Sequence, residues 1–342
     1  MPGTILLGID VETASENTLG YAKYGSALYH ELDIPVTWYV TGATLEKYPQ
    51  VFQEIEADPA IELQAHTFDH VLLKTVFMHM PPGILGHDGR STYLERGASL
   101  EQIEQDLARC GRVFEEVLGR GPLGLTGPWG YYRGLQDRPD TLEIVHRHGY
   151  RFLRTFARDA RDCQPVPLDW KPFWYEPQGF PDILELYIHD YQDDFYWEMF
   201  ANPSPGETYQ DHLRRVAECV AEEDLVWSVA SHDHGCATQE GFWKKGTWIS
   251  EFVRYAKGLG IRFLSGSIVL PGTARQVTIR PPRPCRQVAR GQVGTTFAGD
   301  ALPRRRQSLH AALAPCREGS ATARPSTDPA RRAQEHVPHL GA

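Results

Sequence analysis

Two short stretches hold residue types that could run a hydrolysis. Asp10-Val11-Glu12 sets two carboxylates at the end of an apolar run, and His66-Thr67-Phe68-Asp69-His70 sets two imidazoles four residues apart. Breaking an unactivated amide near neutral pH needs a strong nucleophile. A divalent metal supplies one by lowering the pKa of a bound water to about 7. Two imidazoles and one carboxylate make three ligands and leave a position open for water. The other carboxylate can then take the water's proton. A third element, Ser231-His232-Asp233-His234, offers a histidine suited to protonating a departing amine.

These groups must be carried to one place. Short apolar, β-branched runs at 4–10, 35–42, 61–67, 123–129, 151–156, 183–188, 226–232 and 262–265 read as strands. Amphipathic stretches at 17–32, 99–118 (opening S-x-x-Q), 208–223 and 247–259 read as helices. Strand and helix in alternation predict an α/β fold with a parallel sheet covered by helices. No glycine-rich phosphate fingerprint follows the first strand, where Gly-Ile-Asp-Val-Glu-Thr stands instead. Asp10 and Glu12 end the first strand, His66 and His70 follow the third, Trp129 ends the fourth and His232 the seventh. In a (β/α) barrel the strand C-termini converge on one rim, so a barrel is the predicted closure. Residues 71–97, with His79 and His87, read as an irregular lid or substrate-binding loop, and 165–200 are dense in aromatics.

Asp-x-Glu, H-T-x-x-H, the turn Gly127-Pro128-Trp129-Gly130 and a late strand ending in Ser-His resemble the polysaccharide deacetylase family, the NodB-like carbohydrate esterases. The resemblance runs over about residues 4–268 with the motifs in order. It implies a deformed (β/α) barrel of about seven parallel strands, one divalent metal ion, most often zinc, and removal of acetyl or formyl groups from amino sugars. Carried onto this chain, Asp10 resembles the catalytic base, and Glu12, His66 and His70 the metal triad. His232 resembles the general acid. Residues 126–130 match the turn whose backbone amide helps hold the oxyanion, which points to Pro128, Trp129, Gly130 and Tyr131. Trp129 and Tyr131 are the aromatics expected to stack on a sugar face.

Three departures stand out. The usual Asp-Asp pair is Asp-Val-Glu, so Asp10 and Glu12 could exchange roles. Thr126 replaces an arginine that orients the base, leaving Arg154 or Arg133 to supply it. The connection after the second motif is long. Two other functions remain open: a metal-free hydrolase of cyclic amides such as allantoin, and a sugar-binding barrel without catalysis.

The chain has 342 residues, and 41% are hydrophobic. Its six cysteines show no C-x-x-C pair, which argues against a structural zinc site or a disulfide scaffold and fits reduced thiols. The N-terminus lacks a secretory signal and no run is long enough to cross a membrane, so a cytoplasmic enzyme with a cytoplasmic substrate is expected. Residues 272–342 hold twelve arginines, no lysine and four acidic residues, and residues 1–271 carry the remaining −17 of a net −9. An acidic body of that size disfavours nucleic acid as a partner. The catalytic barrel is therefore expected to span 1–270. Residues 271–342 form an extension of disorder-prone composition, rich in Arg, Pro and Ala.

Overall fold

A computed structural model describes residues 3–79, 92–160, 162, 164–193 and 206–269, all within a unit spanning Met1–Arg286. The extension 271–342, His87 and Trp197 lie outside the described residues.

The chain opens with β1 (Thr4–Val11), α1 (Glu16–Leu32), β2 (Val36–Val40), α2 (Gly42–Lys47), α3 (Pro49–Glu56) and β3 (Ile61–Ala65). A hairpin, β4 (Val76–His79) and β5 (Thr92–Glu95), precedes α4 (Leu100–Leu118), β6 (Gly124–Tyr132), α5 (Pro139–Arg147) and β7 (Phe152–Arg158). Then come β8 (Phe173–Tyr175), β9 (Phe180–Tyr187), α6 (Tyr209–Glu223), β10 (Val226–His232), α7 (Gln239–Gly258) and β11 (Arg262–Phe263).

Seven parallel strands run side by side in the order β10-β1-β2-β3-β6-β7-β9, as the alternating pattern predicts. β8 adds antiparallel to β9, and β11 lies parallel to the start of β1. Every residue of β1, β2 and β7 is buried, because helices cover one face and the curled interior the other. The curl brings the two ends of the row together. His189, just past β9, donates its backbone N–H to Ser228 O of β10 at 3.0 Å, and Ser228 N donates to His189 Nδ1 at 3.1 Å. A deformed barrel results, its seam joined among the described residues by such single contacts instead of a strand ladder.

Ser99 caps α4 with a full capping box, its hydroxyl accepting from Gln102 N and the Gln102 side chain accepting from Ser99 N. The helix expected over 247–259 begins two turns earlier, at Gln239. Gly241 and Gly246 lower its helical propensity. Tertiary contact overrides that: a Cβ on Gly241 would sit 2.3 Å from Gly235 O, so the close approach itself selects glycine. The 71–97 stretch is not wholly irregular, since β4 and β5 pair with Phe77 opposite Leu94. Among the described residues no helix is long and apolar enough to cross a membrane.

Candidate active site

The rim at the strand C-termini carries two adjoining clusters. In the first, Glu12 leaves β1 and meets the loop after β3. Its Oε2 lies 2.8 Å from His66 Nε2 and 3.1 Å from His70 Nε2. Its Oε1 lies 3.1 Å from His234 Nε2. Burial alone would raise the Glu12 pKa, but His234, His66 and His70 outweigh it and hold the carboxyl well below its usual range. His66 is shifted the other way. Burial would lower it, and the hydrogen bond it donates to Glu12, with the fields of Asp10 and Glu12, raises it.

The H-T-x-x-H loop does not hold itself in place. Thr67 and His70 both adopt left-handed φ, 57° and 55°, which non-glycine residues seldom take without outside support. Asp106 of α4 supplies it, accepting from Phe68 N at 2.7 Å and Asp69 N at 2.9 Å. On the other side Asp233 accepts from Thr18 Oγ1 at 2.6 Å and Thr13 Oγ1 at 2.9 Å, pinning the segment that follows Glu12.

This donor set suits a divalent cation. One ligand atom each from Glu12, His66 and His70 lies within 4.8 Å of the others. Ligands about 2 Å from a tetrahedral ion sit about 3.3 Å apart, close to the separations found. His66 Nδ1 is 3.1 Å from the Thr126 carbonyl, so the ring is fixed with Nε2 facing the site, as a carbonyl behind a ligating histidine does.

The second cluster is built across strands. Asp10 and His232 are register partners on β1 and β10, with His232 Nε2 4.0 Å from Asp10 Oδ2. The Arg154 guanidinium, from β7, donates to Asp10 Oδ1. Its Nε also donates to Thr126 Oγ1 at 3.0 Å, and it stacks 4.2 Å from the Tyr39 ring centroid. Arg154 thus reaches the carboxylate that Thr126 cannot, while Arg133 is exposed and hydrogen-bonds Gln136.

His232 Nδ1 is 2.7 Å from Asp193 Oδ1. Asp193 is fully buried and also accepts from Ser231 Oγ at 2.7 Å and Lys245 Nζ at 3.1 Å. Lys245 donates further to the His232 carbonyl at 3.1 Å. Burial would raise the Asp193 carboxyl, but Lys245 and His232 outweigh it and hold it far below the ordinary range. Neither Asp193 nor Lys245 was among the residues marked from sequence. A histidine acting as acid needs a carboxylate behind its other nitrogen. That requirement directs attention to an Asp just past the sixth barrel strand. Lys245, beside Lys244 on an amphipathic helix, gives no such signal.

The turn in β6 breaks the strand register between Thr126 and Tyr131. Trp129 (φ 64°) and Gly130 (φ 61°) are both left-handed, and Arg158 Nε donates to both their carbonyls at 3.1 Å. A Cβ on Gly130 would overlap Ala157, 2.1 Å away. Pro128 and Gly130 are buried and Trp129 is half-buried. Tyr131, expected to stack on substrate, corrects that expectation: it is 1% exposed and packs in the core, its hydroxyl accepting from Leu73 N at 2.9 Å. The register break leaves Trp129 half-buried and Tyr131 in the core.

Residues 20–153 match the polysaccharide deacetylase family. No curated protein matches in sequence. Among solved structures, a probable polysaccharide deacetylase from Pseudomonas aeruginosa is similar with a TM-score of 0.51 and 15% identity, over 76% of this chain and 88% of that one. Puue allantoinase gives 0.50 and 17%, over 76% and 87%. A CE4-family pseudoenzyme from Bacillus anthracis gives 0.45 and 12% over 77% of this chain, which spans 64% of that protein, less than two thirds.

Proposed function

We propose that the chain is a metal-dependent hydrolase that removes an N-acyl group, acetyl or formyl, from an amino sugar or glycoconjugate. One observation carries the reading. The two carboxylates of Asp10-Val11-Glu12 are separated by their partners, Glu12 facing two imidazoles and Asp10 facing Arg154 and His232.

Glu12, His66 and His70 would hold the ion, zinc being the best match to a carboxylate and two imidazoles, and it would supply Lewis acidity toward water and the acyl oxygen. Asp10 takes the proton released by the attacking water, with Arg154 fixing the carboxylate's direction. His232 delivers a proton to the amide nitrogen as the C–N bond breaks, and Asp193 behind its Nδ1 steadies the charged ring. Thr126, just ahead of the Pro128–Gly130 turn, meets His66 through its carbonyl, and half-buried Trp129 would offer a face for a sugar ring.

A second reading is a hydrolase of cyclic amides that works without a metal. Glu12, His66 and His70 argue against it, because a metal-free hydrolase has no use for that set of donors. The test combines metal analysis of the purified protein with a screen of N-acetyl and N-formyl sugars and allantoin. One metal per chain with acetate or formate release supports the first reading. Metal-free turnover of a cyclic amide overturns it.

A further inference from the structure

The loop after β10 carries a second imidazole that the chemistry above leaves unassigned. His232 turns toward Asp10 and Asp193, while His234, two residues on, turns toward Glu12 with Nε2 3.1 Å from Oε1. The two rings stack with centroids 5.0 Å apart and planes 17° apart. The backbone between them is fixed, since Asp233 N donates to the Asp10 carbonyl at 3.1 Å and Cys236 Sγ lies 3.4 Å from the His234 carbonyl. The imidazole is therefore delivered to Glu12 by the same strand end that delivers His232 to Asp10.

A glutamate has one more rotatable bond than an aspartate, so its carboxylate can pivot or offer both oxygens to one cation. In this chain the two oxygens are divided. Oε2 faces His66 and His70, and Oε1 is held by His234. We propose that His234 is a positioning residue whose Nε2–H holds Glu12 to one ligating oxygen, offsetting the longer arm at this position. The inference rests on Glu12 being a metal ligand. His234 does not bind the ion; it orients the group that does.

The test is a zinc titration of metal-free protein against a competing chromophoric chelator, for wild type, His66→Ala, His234→Ala and His234→Gln. The His234 side chain is 42% exposed, so shortening it opens no buried cavity, and the melting temperature of the metal-free variant should match wild type. His66→Ala should lose tight zinc binding. His234→Ala should weaken it about 10- to 100-fold, the range for losing a hydrogen-bond partner that orients a ligand. His234→Gln, whose amide N–H reaches a similar distance, should recover most of the loss. Wild-type affinity in His234→Ala, beside a dead His66→Ala, overturns the inference and leaves the metal reading standing. So does a loss as complete as that of His66→Ala, which would make His234 a ligand. Failure of folded His234→Gln to recover affinity also overturns it, and a wild-type protein that binds no zinc overturns both.

Discussion

The two halves of the rim are made differently. The Glu12–His66–His70 half comes from the ends of β1 and β3, close to short motifs, and it meets solvent through His70 (33% exposed) and Glu12 (16%), with His66 buried behind them. The Asp10–His232 half joins β1, β7, β10 and the segment after β9, and its supports Arg154 and Asp193 are 1% and 0% exposed. Open ligands suit a group that must bind and meet substrate. Buried ion pairs suit groups whose direction must not change during proton transfer. If that contrast is right, damage to the first half should read out in metal content, and damage to the second in turnover and stability.

The largest effect is expected from the ligands. His66→Ala and His70→Ala should each abolish both bound metal and activity, because losing one of three protein donors opens the site. Metal analysis beside an acetate or formate release assay checks this, and stoichiometric metal with near-normal turnover in either variant breaks the comparison.

Next comes Asp193→Asn, which should leave the metal in place and lower kcat/KM by about 10²-fold, as expected when a general acid loses its orientation. It also leaves the Lys245 ammonium buried without its anion, a loss on the order of 3 kcal/mol. The same residue predicts a pH dependence. Its folded pKa lies below the unfolded value of about 3.9, so its contribution is present at neutral pH and lost as pH falls through and below that value. Denaturant melts between pH 6 and 2.5 should show Asp193→Asn with a shallower acid decline than wild type. Parallel declines would mean the ion pair contributes nothing to stability.

A smaller effect belongs to Trp129→Ala. Loss of one stacking face should raise KM about tenfold, equivalent to about 1.4 kcal/mol, with kcat nearly unchanged. A fall in kcat with constant KM would place Trp129 in the turn's geometry instead of the substrate's path. Ending the chain at residue 271 should have the smallest effect, leaving kcat/KM and Tm at wild-type values. An insoluble or inactive product would show that the Arg-rich extension is part of the barrel.

The same contrast governs what the sequence allowed. The parallel strands, the helices α1, α4 and α6, the capping box at Ser99 and the carboxylate–imidazole pattern were legible because each is local, repeating over a few residues. Arg154 could be named only as one of two substitutes for the arginine missing at Thr126. Asp193 and Lys245 lie 39 and 13 residues from His232, and no local period links them to it. Tyr131 shares the turn with Trp129, and the turn alone does not say which side each ring takes; the left-handed pair Trp129–Gly130 breaks the register there, and Tyr131 is buried. The early start of α7 was hidden by glycines that tertiary contact selects.

The central claim is the division of labour between the two carboxylates, and metal stoichiometry in a matched pair of variants tests it most directly. Asp10→Asn should keep one metal per chain while kcat/KM falls on the order of 10²-fold or more, as for a lost general base. Glu12→Gln should lose the metal. If Asp10→Asn loses the metal and Glu12→Gln keeps it, the roles are exchanged and the account of the rim is contradicted.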